Sequence, residues 1–341
     1  MSDKQTSGAA GKASTGGGLA SGISGFFLHF KWSEHSTGFG FILLFIFSTI
    51  VGWPTFLTIG NLLNIVKQAS YTGIIGLGMT LIIISGGIEL SVGSMMAFVG
   101  GIGIYFLNLF PGDSFLAVVL TILFVLVFGI FCGFVNGFMV TKGRIAPFIA
   151  TLGTMAIFRS LIQYFSGAAN ILSKNTIYPR FGPASLLGIP VPVWVFVILT
   201  VVFHLVLNNT RFGRYVCAVG ANEQVARYSA ININLIKLVP YMLTGFTVAV
   251  SALLWSSRIN CIHSSGDGNG YELEAIAAVV IGGTSMSGGK GSIVGTFLGA
   301  VMLMMINNML VLGGVSSFLQ QAARGLVIIA AVLLQYNSNN K

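Results

Sequence analysis

Charge is what this sequence has least of: only 7% of its 341 residues are Asp, Glu, Lys or Arg, against about 25% in soluble domains. That shortage excludes an ordinary soluble protein before any motif is considered. Cysteine is nearly absent too. Cys132, Cys217 and Cys261 lie far apart, which excludes a disulfide framework, and no Cys/His spacing fits a zinc site. The sequence has no nucleophile–base pattern such as G-x-S-x-G or H-E-x-x-H, so an enzyme is disfavoured and no cofactor is implied. Period-two alternation is missing as well, which excludes an outer-membrane barrel. Residues 1–36 lack the short apolar core and cleavage site of a secretory leader.

What is there is apolar and small: 55% of residues are hydrophobic and 45 are glycine. Runs of about 20 apolar residues satisfy their backbone internally as helices, and small residues let such helices approach closely. The expected fold is therefore an all-α membrane protein, a polytopic bundle of about ten transmembrane helices. The ten segments fall near 38–58, 69–87, 92–110, 114–139, 146–166, 190–207, 236–257, 272–285, 292–312 and 317–336. Gly-rich breaks make the third and eighth candidates for discontinuous or re-entrant helices. Residues 59–67 read as a short interfacial piece. Residues 1–36 read as a flexible Gly/Ser-rich cytoplasmic tail, 37–337 as the transmembrane domain and 338–341 as a cytoplasmic C-terminus.

The net charge of +9 is spread over short loops, as orientation signals require, and this excludes a nucleic-acid partner. With the N-terminus inside, eleven lysines and arginines fall on inside segments and four on outside ones, so both ends should be cytoplasmic. Two loops are long. The external one spans 167–189. The internal one, about 208–235, is charged and amphipathic, with Asn222 placed to cap a short helix and Glu223 in its first turn.

The stretch "SGGKGS" (287–292) superficially resembles a phosphate cradle. A phosphate loop needs G-x-x-x-x-G-K-[ST], and with Lys290 as its lysine the first and last positions fall on Thr284 and Gly291. Both fail, so these glycines read as a tight cytoplasmic turn between helices, with Gly295 and Gly299 offering a packing face beyond it. The segments 79–102 and 276–301 echo one another, each running into Gly-Gly, a polar break and a glycine-rich helix, which is a possible internal pseudo-repeat.

Polar groups in or near the spans are the candidates for function. Glu89 lies in a break read at the cytoplasmic edge, where a pathway or gate role competes with simple solvation of a loop carboxylate. Asn136, Thr151, Thr154, Asn307 and Asn308 lie within spans, as do Gln163, Gln320 and Gln321. Interhelical hydrogen bonding is their default role, and a path for a hydroxyl-rich solute is the functional alternative. Arg159 and Arg324 read as snorkelling or structural salt-bridge residues, Glu272 and Glu274 as acids at a helix N-terminus. His204 and His263 show no acidic neighbour at a catalytic spacing.

The stretches "GMTLIIISGGIELSVGS" (78–94), "TRFGRYVCAVGANEQVARYSAININ" (210–234), "YELEAIAAVVIGGTSMSGGKGSIVGTFLGA" (271–300) and "NNMLVLGGVSSFLQQAARGLVIIAAVL" (307–333) resemble the ribose-type permease subunits of bacterial ABC monosaccharide importers. The resemblance covers about residues 55–336. It implies an inner-membrane homodimer bound to cytoplasmic ATPase subunits and fed by a periplasmic sugar-binding protein. ATP is then hydrolysed by a partner. A coupling helix in the long internal loop docks on that ATPase, the matching residues being Gly220, Asn222, Glu223, Ala226, Arg227 and Ile231. Ala221 and Ala230 stand where glycines are expected, Glu89 stands for the usual aspartate, and residues 164–188 match poorly. The implied function is import of ribose or a related monosaccharide, with inositol, other pentoses or hexoses and an autoinducer-like sugar as alternatives. An ion-coupled secondary transporter would want a buried carboxylate near the midplane, and the acids here read as lying in loops or at helix ends.

Overall fold

The computed structural model describes residues 32–316 and scattered positions from 319 to 329. Residues 1–31, most of the tenth expected segment with Gln321 and Arg324, and residues 338–341 lie outside the described residues. The helices are α1 (Trp32–Val51), α2 (Ile59–Ile84), α3 (Val92–Leu107), α4 (Phe115–Thr141), α5 (Pro147–Ser166), α6 (Val191–Asn209), α7 (Arg211–Ala221), α8 (Glu223–Tyr228), α9 (Ile233–Ile259), α10 (Tyr271–Ile281) and α11 (Ile293–Leu312). Each of the first nine segments read from the sequence overlaps one of them.

Among the described residues six helices, namely α2, α4, α5, α6, α9 and α11, are long and apolar enough to cross a bilayer. Local chemistry sets their ends. Ser114 and Ser292 cap α4 and α11 by accepting from the amides of Ala117 and Gly295, and prolines begin α5 and lie within the first two positions of α6. Two boundaries differ from expectation. α1 stops at Val51 because Gly52 and Pro54 follow, seven residues before the expected end at 58. Residues 59–67 are the first turns of α2 rather than a separate interfacial piece, since their polar residues include no helix breaker.

α2 is the central element: every residue from Ala69 to Ile84 is buried, against α6, α9, α10 and α11. α9 crosses α4 at Gly129, Gly133 and Gly137, where a Cβ would collide with Gly245, Tyr241 and Leu238. Gly295 and Gly299 let α11 lie against Gly282 and Ala278 at the end of α10 in the same way.

α3 and α10 are short. At 1.5 Å per residue, sixteen residues span about 24 Å and eleven about 16 Å, against a hydrocarbon core of about 30 Å. Their N-terminal ends abut: a Cβ on Gly93 would overlap the Gly268 carbonyl and lie 2.8 Å from Glu272 Oε2.

Among the described residues there are also four strands of two or three residues. β1 (Asn170–Leu172) pairs antiparallel with β4 (Cys261–His263), and β2 (Ser185–Leu186) with β3 (Ile189–Pro190). The loop 167–189 is thus built rather than irregular. Asp113 accepts from the Thr176 amide and hydroxyl, each at 2.6 Å, while Asn108 bonds Leu172 and Lys174. Among the described residues Arg159 makes no salt bridge; its guanidinium donates to the carbonyls of Ser264 and Asp267 at 2.8 and 2.9 Å. His263 does have an acidic neighbour, since its amide donates to Asp267 Oδ2 at 2.8 Å and its Nδ1 lies 3.4 Å from the same oxygen. Glu272 and Glu274 occupy the first turn of α10.

Candidate functional site

α2 ends at Ile84, and residues 85–91 run without helix before α3 begins. Glu89, in this break, is 1% exposed. The solvated-loop reading of Glu89 therefore fails, because α4 and α9 close over it. Its Oε1 accepts from the Ser91 amide at 2.7 Å and its Oε2 from Asn136 Nδ2 of α4 at 2.7 Å. Asn136 Nδ2 also donates to Ser91 Oγ at 2.9 Å, and Tyr241 of α9 donates its hydroxyl to the Ile88 carbonyl at 3.2 Å. No described cation pairs with Glu89. The charge-bearing group is instead held by neutral donors, with Asn136 Oδ1 left as a buried acceptor without a partner. A buried carboxylate is thus present after all, and its absence no longer argues against an ion-coupled transporter.

The other candidates stand apart from this knot. Thr151 and Thr154 are buried on α5, where their hydroxyls bond local carbonyls, those of Pro147 and Thr151. Asn308 of α11 exchanges amide hydrogen bonds with Asn61 of α2 at 3.0 and 2.8 Å, with Asn307 beside it on the same helix. The sequence reading missed Ser91, Tyr241 and Asn61. Asn61 lay in the supposed interfacial piece, and a tyrosine in an apolar helix carries no signal of its partner.

Immediately before the break, three segments meet. The Gly289 amide donates to the Ile84 carbonyl at 2.8 Å. Gly220, near the end of α7, lies so close that a Cβ would collide with the Ile84 carbonyl and sit 2.7 Å from the Gly289 nitrogen. Gly288 and Gly289 hold φ at 82° and 77°, the left-handed region that favours glycine. The "SGGKGS" stretch therefore spends its backbone on packing against α2 and α7.

From this junction the chain turns into α8. Asn222 Oδ1 accepts from the Val225 amide at 3.1 Å and caps the helix. Ala226 is buried, and Ile231 packs against the main core while its amide bonds the Ala226 carbonyl. Glu223 lies 2.5 Å from Lys237 and 3.6 Å from Arg227. Outward, Val225 and Tyr228 are 58% and 88% exposed. Beside α8 opens a cleft of about 920 Å³, lined by Lys142, Arg144, Pro147, Glu223, Arg227 and Lys237 among others.

Residues 61–332 match the family of branched-chain amino acid transport system permease components. The chain belongs to this family. The permease is 40% identical to a ribose import permease protein of Escherichia coli K12, over 86% of this chain and 90% of that one. It is 40% identical to a ribose import permease protein of Bacillus subtilis, over 90% and 94%. A D-allose transport system permease protein of E. coli K12 is 35% identical over 89% and 91%. No solved structure matches the permease. It is a multi-pass membrane transport subunit, not an enzyme.

Proposed function

We propose that this permease carries ribose, or a closely related monosaccharide, inward across the bacterial inner membrane as a homodimer, with both termini cytoplasmic. A periplasmic binding protein delivers the sugar, and separate cytoplasmic ATPase subunits dock on α8 through the surface around Glu223 and Arg227. The support for ribose is the 40% identity, over nearly the whole chain, to two ribose import permeases. The observation that supports coupling is the junction of Ile84, Gly220 and Gly289, which joins the surface element α7–α8 to the break holding Glu89. A rigid displacement of α8 then reaches the Glu89–Asn136–Tyr241 knot through packed backbone, without a mobile side chain between them. In this reading Glu89 and Asn136 gate the pathway.

The experiment is ATP-driven uptake by vesicles holding the permease with its ATPase and binding protein, comparing D-ribose with D-allose. Ribose uptake that requires ATP is expected. Faster transport of allose would favour the second reading, a permease for another hexose or pentose. Uptake by the permease alone, driven by an ion gradient, would sink the importer assignment. Glu223→Arg should abolish ATP-driven uptake and ATPase association while the protein still reaches the membrane.

A further inference from the structure

The loop joining α4 to α5 carries two cations. Lys142 and Arg144 are exposed and, among the described residues, make no ion pair. With Arg227 and Lys237 they line the cleft of about 920 Å³, whose one acidic lining residue, Glu223, is already engaged by both Arg227 and Lys237. Four cations face one carboxylate, a surplus of three. The first residues of α5 and α9, Pro147 and Ile233, also line this space, so two helix N-termini add partial positive charge. Arg144 holds φ at 54°, a conformation that a non-glycine residue keeps only where its surroundings require it.

Around the same loop lie bare apolar side chains. Phe138 in the last turn of α4 and Phe148 and Ile149 in the first turn of α5 are each about half exposed or more. A free anion would use the charges and leave this apolar surface unused. A cleft of this size holds a small-molecule headgroup, the usual range being roughly 300–1,000 Å³. Surplus positive charge on a loop flanked by exposed apolar side chains fits an anionic lipid, and basic pockets between transmembrane helices take such headgroups.

We propose that this cleft binds the headgroup of an anionic phospholipid, its phosphate held by Lys142, Arg144 and Arg227 and its acyl chains lying on Phe138, Phe148 and Ile149. Such a lipid bridges the α4–α5 loop to α8 and biases the position of the docking helix. The binding itself requires only that the chain lies in a bilayer; its effect on coupling rests on the reading of α8 given above.

The test uses the purified full chain in neutral detergent, with native mass spectrometry reading retention of phosphatidylglycerol or phosphatidylcholine. Phosphatidylglycerol should be retained selectively, and the double variant Lys142→Gln/Arg144→Gln should weaken it roughly thirtyfold, at about 1 kcal/mol per charge removed. Lys174→Gln, on the loop after β1, should leave it unchanged, and millimolar inorganic phosphate should fail to displace it. Equal retention of the two lipids, or undiminished binding by the double variant, would overturn the proposal. So would displacement by phosphate, which would mark a site for free anions. If the double variant does not fold, carbene footprinting of the unaltered chain in phosphatidylcholine nanodiscs, with and without phosphatidylglycerol, reads the same site. Protection of residues 142–149 by the anionic lipid is expected. Protection that arises only with the ATPase would instead identify an acidic protein surface as the occupant and overturn the lipid.

Discussion

Ala230 holds φ at 58°, where a Cβ crowds the following carbonyl, at a position where the family resemblance leads one to expect glycine. The strain survives because the turn from α8 to α9 needs that conformation: the Ala230 and Ile231 amides bond back to Arg227 and Ala226. Ala230→Gly should therefore stabilise the chain by about 0.5–1 kcal/mol, the relief of strain outweighing the added freedom of the unfolded chain. Thermal unfolding in detergent measures it, and an unchanged midpoint would mean that packing, not backbone strain, governs the turn. At the buried knot, Asn136→Leu removes a donor from the Glu89 carboxylate and should cost about 2–3 kcal/mol. Glu89→Gln should be tolerated far better, because a flip of the Asn136 amide lets its orphaned Oδ1 accept from the new amide while the Ser91 amide still donates to the remaining oxygen. A negligible cost for both, since each nearly keeps the native volume, would show that the knot is held by packing rather than by hydrogen bonds.

At the scale of elements, the loop after β1 depends on Asp113. The Thr176 hydroxyl, and then its amide, hold the Asp113 carboxyl below the usual carboxylate range. A depressed pKa contributes stability that is present above the unfolded value, near 4, and is lost as pH falls through the folded value. Docking of residues 173–181 should thus persist at neutral pH and fail only below about pH 4. Pepsin cleavage between 173 and 181, followed from pH 5 to pH 2, should begin only at the acidic end, whereas Asp113→Asn should be cut throughout. Cleavage of both proteins at pH 5 would mean that Asp113 does not hold the loop. The junction of α2, α7 and the α10–α11 loop is tighter still. Gly220→Val drives a side chain into the Ile84 carbonyl, so ATP-driven uptake should fall at least tenfold while the chain remains inserted. Normal uptake would separate this contact from transmission.

Across the whole molecule, the distribution of Lys and Arg predicts which residues face which compartment. In right-side-out cells, single cysteines at Lys174 should react with an impermeant maleimide, and those at Lys142 and Lys290 should not. The reverse pattern would invert the proposed topology and move α8 outside. The two short helices were legible as the third and eighth apolar segments, with glycine-rich breaks marking them as discontinuous. That α3 and α10 begin against one another is a consequence of chain crossing, since Gly93 and Gly268 are far apart in sequence.

Composition and the length of apolar runs were enough to determine a helical membrane protein, the approximate places of α1–α6 and α9–α11 and the short helix capped by Asn222, because burial of backbone in lipid and local capping act within a few residues. The sequence motifs also carried the family. Only the tertiary structure decided that Glu89 is buried on Asn136 rather than solvated, that "SGGKGS" packs against Ile84 and Gly220, and that Asn308 belongs with Asn61. Each depends on two or three helices arriving at one point. Such contacts join residues dozens to hundreds of positions apart, and no period or local propensity along the chain records them.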